Sequence, residues 1–350
     1  MKYSRLSQSA IVSALRGQTL RIPNLYTLFS SWPNTHGQVN RHHEHVKSIV
    51  AQAVDRITTT YPLIARRKAD DIAHLACSLY PQARKPQIEA LTLYTTWLVC
   101  WDDAVDANEG DLAGDFARAE RWRRLTMKMV REALDIDEAR IVELDGDPIS
   151  GVFRDFGSRI CETAQKDQRR LLHDEIRFFT ESCAAEQELR LASHIPDFES
   201  YIKLRIGTVG GRMLCSLVPY ATQETLPRSL SSAPEVSQIW TQVCILLSLL
   251  NDMLSLKKEL QTDCVINAVA AMMEPDMTLD IVVTRLEERM GLAVREFDDA
   301  THKLFEKAES QEDLKPLLTR YVDGCRAIVT GTLNFTFVPW LWTLSLDTDS

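Results

Sequence analysis

Glycine and proline are scarce, with thirteen of each in 350 residues, about 7% together where about 12% is usual. Long stretches therefore run without the punctuation that turn-rich strand folds need. Basic charge is short as well. Lys plus Arg number 40 against 49 Asp plus Glu, a formal net charge of -9, and no dense basic stripe occurs, which excludes electrostatic nucleic-acid binding as the main activity. The eight cysteines show no CxxC and no regular spacing, so neither a zinc site nor a disulfide framework is indicated, and a reducing, cytoplasmic setting is expected. The first residues do not resemble a secretory leader, because Arg16 and Arg21 fall in a stretch with no uninterrupted apolar core. The stretch 327–346 is uncharged over a membrane-spanning length. Gly331, Asn334, Pro339 and several threonines make it a buried terminal helix and not a membrane span.

What is present is helical periodicity. Apolar residues recur every three or four positions through 46–57, 72–80, 88–105, 116–134, 171–191, 198–217, 236–256, 279–305 and 314–335. No period-two alternation and no internal repeat is seen, and the breaks between these runs are too short for domain linkers. The expectation is an all-α protein: an irregular arm over 1–38, one helical bundle domain over 39–346 and a short tail at 347–350. The run Arg41-His42-His43-Glu44-His45 suggests a metal cluster, but adjacent residues point to different faces, so it reads as a polar helix start.

Two acidic clusters close apolar runs. The first is Asp102-Asp103-x-x-Asp106, after an apolar stretch that contains Tyr94 and Trp97. Asp102 and Asp106 stand about 6 Å apart along one helix face, where like charges repel and the helix C-terminus opposes them too. Such a place suits a cation; a solvated helix end is the alternative. A calcium loop is set aside, since Gly110 and Asp111 fall at the wrong offsets and no Glu closes it. The second cluster follows the strongly apolar 239–250. Asn251, Ser255 and Glu259 fall at i, i+4 and i+8, placing an amide oxygen, a hydroxyl and a carboxylate on one stripe. Hard cations such as Mg²⁺ take ligands of this kind, and Lys258 offers a donor to an anion sharing the metal. A solvated polar face is again the alternative, but an apolar helix with one polar end implies that this end opens into something.

Together these motifs resemble those of the class I terpene cyclases, most closely the single-domain microbial and fungal sesquiterpene cyclases. That family carries a DDxxD motif and, about 140 residues on, an NDxxSxxKE motif. Here Asp102, Asp103 and Asp106 match the first, and Asn251, Asp252, Ser255, Lys258 and Glu259 the second, 149 residues later (251 minus 102). The resemblance implies a helical bundle around a central apolar cavity, with Asp102, Asp103 and Asp106 on the first wall and Asn251, Ser255 and Glu259 on the second holding three Mg²⁺. It also implies that Arg205, 46 residues before Asn251 (251 minus 205), senses the substrate diphosphate together with Lys258. Thr208 would link and the Val209 carbonyl would face the substrate, beside a break at Gly207, Gly210 and Gly211, which close helix packing would equally explain. Tyr94, Leu98, Val99, Phe178, Phe179, Phe335, Trp340 and Trp342 are candidates for the cavity wall. One departure is present: where the family has a terminal Arg-Tyr pair that binds diphosphate, this chain has Leu341-Trp342. Arg212 and Lys257 are candidates to replace it.

The resemblance therefore implies a Mg²⁺-dependent lyase that ionises and cyclises a linear isoprenyl diphosphate, farnesyl diphosphate first, acting as a monomer or homodimer. Alternatives are a C10 or C20 cyclase of the same fold, a chain-elongating prenyltransferase, which would need a second Asp-rich motif, and a helical binding protein whose acidic clusters are mere solvated ends.

Overall fold

The computed structural model describes residues 7–33, 37–106, 112–136, 144, 146–261, 265–275, 277–309, 311–336 and 343–346, without the side chains of Asp106, Glu312 and 343–345. The arm contains α1 (Gln8–Leu15) and a short strand, β1 (Thr19–Arg21). The bundle begins with α2 (His43–Thr58), a 3-10 turn at Pro62–Lys68, α3 (Ile72–Leu79) and α4 (Lys85–Asp106). It continues through α5 (Phe116–Ala133), α6 (Pro148–Cys161), α7 (Lys166–Leu191), α8 (Phe198–Thr208) and α9 (Gly211–Ser216). After the short α10 (Val218–Thr222) and α11 (Arg228–Ser231) come α12 (Pro234–Gln261), α13 (Ala268–Met272), α14 (Leu279–Lys307) and α15 (Lys315–Thr336). All the expected helical runs are present. The chain between 198 and 217 is two helices instead of one, and α6 is an addition.

Helix starts follow capping chemistry. The carboxylates of Asp115, Asp147 and Asp197 accept from the main-chain N–H three residues on, opening α5, α6 and α8. Two helices organise the interior. Every residue of α12 from Gln242 to Leu250 is buried, and the helix packs on α8, α9, α13, α14 and α15. By length and composition α12 could cross a membrane, yet 78% of its most apolar window is buried against the rest of the protein, as in a core helix. The second organiser, α4, packs on α2, α3 and α6.

The N-terminal arm, expected to be irregular, is packed structure. Ile11 and Leu15 of α1 are buried, and Trp32 is 3% exposed. Its indole donates to Asp298 Oδ1 at 3.1 Å, and its ring lies 4.7 Å from that of Phe297, with the Arg326 guanidinium over both. The 327–346 stretch also departs from a single terminal helix. α15 ends at Thr336, and Thr343–Ser345 forms a second strand, β2, antiparallel to β1 with Thr19 opposite Ser345. An added strand is how the arm and the distal segment satisfy exposed main-chain groups that a helix would satisfy internally.

Candidate active site

The C-terminal end of α4 is held from both sides. Trp101 is buried, stacked on Trp122 at 5.3 Å and packed on Phe179 at 5.4 Å, while its indole donates to Thr126 Oγ1. Next to it, Asp103 is gripped by the 3-10 turn. Arg67 Nε donates to Oδ2 at 2.6 Å, and Arg67 Nη2 and Arg66 Nη2 donate to Oδ1 at 2.7 and 2.9 Å. Burial alone would raise the Asp103 pKa, but Arg67 and Arg66 hold it below its ordinary value. Both oxygens of Asp103, expected in the metal set, accept from guanidinium groups. Asp102 and Asp103 both line a cavity of about 460 Å³. The side chain of Asp106 lies outside the described residues.

The opposite wall is the polar end of α12. Asn251, Ser255, Lys258 and Glu259 all line the same cavity, and Ser255 Oγ donates to Glu259 Oε1 at 2.5 Å. Asp252 also borders this cavity but is 1% exposed, its carboxylate held by neighbouring groups. It accepts from the Tyr201 hydroxyl at 2.5 Å, from the Ala268 N–H at 3.0 Å and from Arg205 Nη2 at 3.1 Å. Glu259 is pushed up to about 8 by burial and by the Asp252 charge. Among the described residues, no three Asp, Glu, His or Cys side chains form a preformed metal cluster. The donors here are instead an amide, a hydroxyl and a carboxylate on one wall and Asp102 on the other, an all-oxygen set that fits a hard divalent cation.

Arg205 comes from α8. Its guanidinium bonds Thr208 Oγ1 at 3.0 Å and Asn251 Oδ1 at 3.1 Å, besides Asp252. Burial works against its charge, but Asp252, Tyr201, Glu186 and Glu259 raise its pKa well above the usual value, so it is a permanent cation. α8 stops at Thr208 because Gly210 adopts φ 75°, a left-handed conformation suited to glycine. Gly207 and Gly211 serve close packing: a Cβ would stand 1.9 Å from Ser182 Oγ at the first and 2.8 Å from Cys244 Sγ at the second. Both sequence readings of this segment thus hold, at different glycines. Thr208 and Val209 line the cavity.

The rest of the cavity wall is largely apolar, with Leu75, Leu79, Leu98, Val99, Leu214, Leu247 and Phe335. Leu98, Val99 and Phe335 are candidates named from the sequence. Tyr94, Phe178 and Phe179 are not on the wall. Tyr94, on α4, is buried against α6, its ring 5.0 Å from Phe156 and 5.6 Å from Trp97. Phe178 is 40% exposed and lies under the Arg212 guanidinium, while Phe179 supports Trp101. Each occupies a helix face that packing turned away from the cavity. Trp340 and Trp342, with the Leu341-Trp342 departure, lie outside the described residues. Arg212 is not a cavity residue either: it makes two bonds of 2.6 and 2.7 Å to Glu175 and sits over the rings of Phe178 and Trp240. Lys257 is likewise not among the lining residues.

The motifs did not point to Trp101, Glu186, Gln187 or Arg190, which also line the cavity. For the last three, the signal is their i, i+1 and i+4 placement at the polar end of the long α7. A somewhat larger groove, about 530 Å³, lies between α2 and α6. Arg56 there pairs with Asp155 at 2.7 Å and Arg159 with Glu89 at 2.8 Å, and the lining holds no comparable donor set.

The cavity thus brings oxygen donors from α4 and α12 together above a largely apolar wall. The chain belongs to terpene synthase family 2: the family model for its C-terminal metal-binding region matches residues 94–296, more than half of the 350. It is a terpene synthase, and that region implies divalent metal binding. It is similar to the sesquiterpene cyclase hepA of Aspergillus oryzae, 25% identical over 338 residues that cover 92% of this chain and 90% of that enzyme. It is also similar to a (+)-eremophilene synthase of Gibberella fujikuroi, 25% identical over 328 residues, covering 91% and 86%. Among solved structures, germacradien-4-ol synthase from Streptomyces citricolor superposes with a TM-score of 0.71 at 18% identity, covering 86% of this chain and 95% of that one.

Proposed function

We propose that this terpene synthase is a Mg²⁺-dependent cytoplasmic cyclase of farnesyl diphosphate that releases a cyclic C15 hydrocarbon or alcohol and diphosphate. The observation that carries the reading is the placement of Asp102 on one wall of the cavity, and of Asn251, Ser255 and Glu259 on the other, above apolar walls. The relatives named above as sesquiterpene cyclase and eremophilene synthase support a C15 substrate. Bound Mg²⁺, three ions in this proposal, would supply Lewis-acid charge to the diphosphate and make it a leaving group.

The chain's own groups do the rest. Arg205 and Lys258 donate charge-assisted hydrogen bonds to the diphosphate oxygens. Residues 327–350 contain no Lys, Arg or His, so nothing there replaces the missing Arg-Tyr pair. Arg190, a cation on the α7 wall of the same cavity, takes that place in this proposal. Leu98, Val99, Leu214 and Leu247 exclude the water that would quench the cation. Trp101 and Phe335 offer ring faces worth roughly 0.5–2 kcal/mol each to a carbocation.

Incubation of the purified protein with C10, C15 and C20 diphosphates and Mg²⁺, analysed by gas chromatography, should give a cyclic product from the C15 substrate. Absence of product from all three would overturn the reading. A longer linear product on adding isopentenyl diphosphate would assign chain elongation instead.

Metal affinity should depend on pH through Glu259. Its folded pKa near 8 lies above the ordinary 4.5, so below 8 a cation must displace a proton. Affinity should rise by up to about tenfold per pH unit between 6 and 8 and level off above. In the metal-free protein the sign reverses: the protonated acid favours the fold, and this contribution, complete below about 4.5, is lost as pH rises through 8. The Mg²⁺-induced shift in melting temperature should therefore be larger at pH 8 than at pH 6, and Glu259→Gln should abolish the difference.

A further inference from the structure

We infer that Asn267, a residue outside both acidic motifs, positions Glu259 for cation binding and so sets the affinity of the α12 wall for its metal. The inference rests on the reading of that wall as a metal site. Asn267 precedes α13 and is fully buried, 0% exposed. Its amide Nδ2 donates to the Asp252 carbonyl at 2.8 Å and to Glu259 Oε1 at 3.3 Å. Its Oδ1 accepts from the Val269 N–H at 2.9 Å and caps α13. The partners settle the amide orientation, since two acceptors face one end and an N–H donor the other. The adjacent Ala268 N–H donates to Asp252 Oδ2. Residues 267 and 268 are thus bonded to both acids of this part of α12.

The physical consequence concerns Glu259. A long carboxylate side chain on the last turns of a helix has several rotamers, and ligation must select one. Here Ser255 Oγ and Asn267 Nδ2 both donate to Oε1, which fixes the carboxylate plane from two directions. Ser255 is on the same helical stripe and moves with α12. Asn267 is the only one of these two donors anchored elsewhere, through α13. Hydrogen bonds that orient a metal-ligating carboxylate typically change metal affinity by about 10–100-fold when removed. An Asp at 267 would keep the cap but face Glu259 with a like charge, which accounts for an amide at this position.

Asn267→Ser separates the two jobs, because serine is itself a good cap but lacks the amide arm. Titration of Mn²⁺ in the presence of inorganic pyrophosphate, read by electron paramagnetic resonance, should show about 10–100-fold weaker binding while the metal-free melting temperature stays close to that of the parent. The loss should vanish in a Glu259→Gln background, where there is no carboxylate to orient, and persist in an Asp102→Asn background, on the other wall. Asn267→Asp, which retains shape and cap acceptor, should weaken Mn²⁺ binding at least as much and serves if the serine variant folds poorly. Parental affinity in both variants, or an equal loss with Gln at 259, would overturn the inference. If the unmodified protein binds no Mn²⁺ with pyrophosphate, it is the metal-site reading itself that fails.

Discussion

Asp102→Asn and Glu259→Gln should each lower product formation from farnesyl diphosphate by about 10³-fold while leaving the protein folded. Both substitutions preserve shape and remove only charge. The metal charge they help to hold is worth several kcal/mol at the departing diphosphate, and each 1.36 kcal/mol is tenfold in rate. The stability outcome separates the proposed role from a structural one. Glu259 carries a pKa raised to about 8 by burial and by Asp252, so its ionised form opposes folding at neutral pH. Gln at 259 should therefore leave the metal-free melting temperature unchanged or raise it. A variant that is both stable and inactive, measured by calorimetry and product analysis side by side, supports metal ligation. Full turnover in either variant would contradict it.

Arg205→Met should be the most destabilising substitution in the site. Arg205 faces Asp252 at 3.1 Å, and their side chains are 12% and 2% exposed. Removing one partner of a buried ion pair leaves an uncompensated charge and typically costs about 3–5 kcal/mol, whereas replacing both partners is often nearly neutral. Asp252 retains bonds from Tyr201 and Ala268, which places the expected loss towards the lower end of that range. Adding Asp252→Asn should restore most of the stability, as read by urea denaturation, because the stranded charge is gone. It should not restore cyclisation, because the cation proposed to meet the diphosphate is still missing. Recovery of activity together with stability would show that Arg205 is structural only.

How much of this could be read beforehand varies by residue. The helical runs through α4 and α12 were legible because every apolar position recurs at helical spacing, and the two acidic ends were legible because like charges after an apolar run need a reason. The break at Gly210 was legible too, since three glycines in five residues are unfavourable inside a helix. α6 was overlooked although Asp147-Pro148 is a start signal and Ile149, Val152, Phe153, Phe156 and Ile160 keep the helical period; the acidic loop before it drew the boundary too late. The arginine grip on Asp103 is not legible in the sequence because Arg66 and Arg67 stand 37 and 36 positions earlier, beyond any local pattern. The surroundings of Tyr94, Phe178 and Phe179 are not legible in the sequence because an aromatic on a helix has the same spacing whether it faces a cavity, a neighbouring helix or solvent.

By itself the sequence determined the helical class, the two oxygen-donor stripes and the Arg205 segment, all of them consequences of a 3.6-residue period and of residue chemistry within a few turns. Only the tertiary structure decided that Asp102 and the Asn251-Ser255-Glu259 stripe line one cavity, that Asp103 is held by arginines and Asp252 by Tyr201, and that Asn267 reaches Glu259. It also decided that the arm pairs as a strand with a segment more than 300 residues away (Thr19 with Ser345). The reason is common to all of these. A helix's own period establishes which residues share a face, but what that face meets depends on packing between elements far apart in the chain, where side-chain volume and buried charge must be satisfied together.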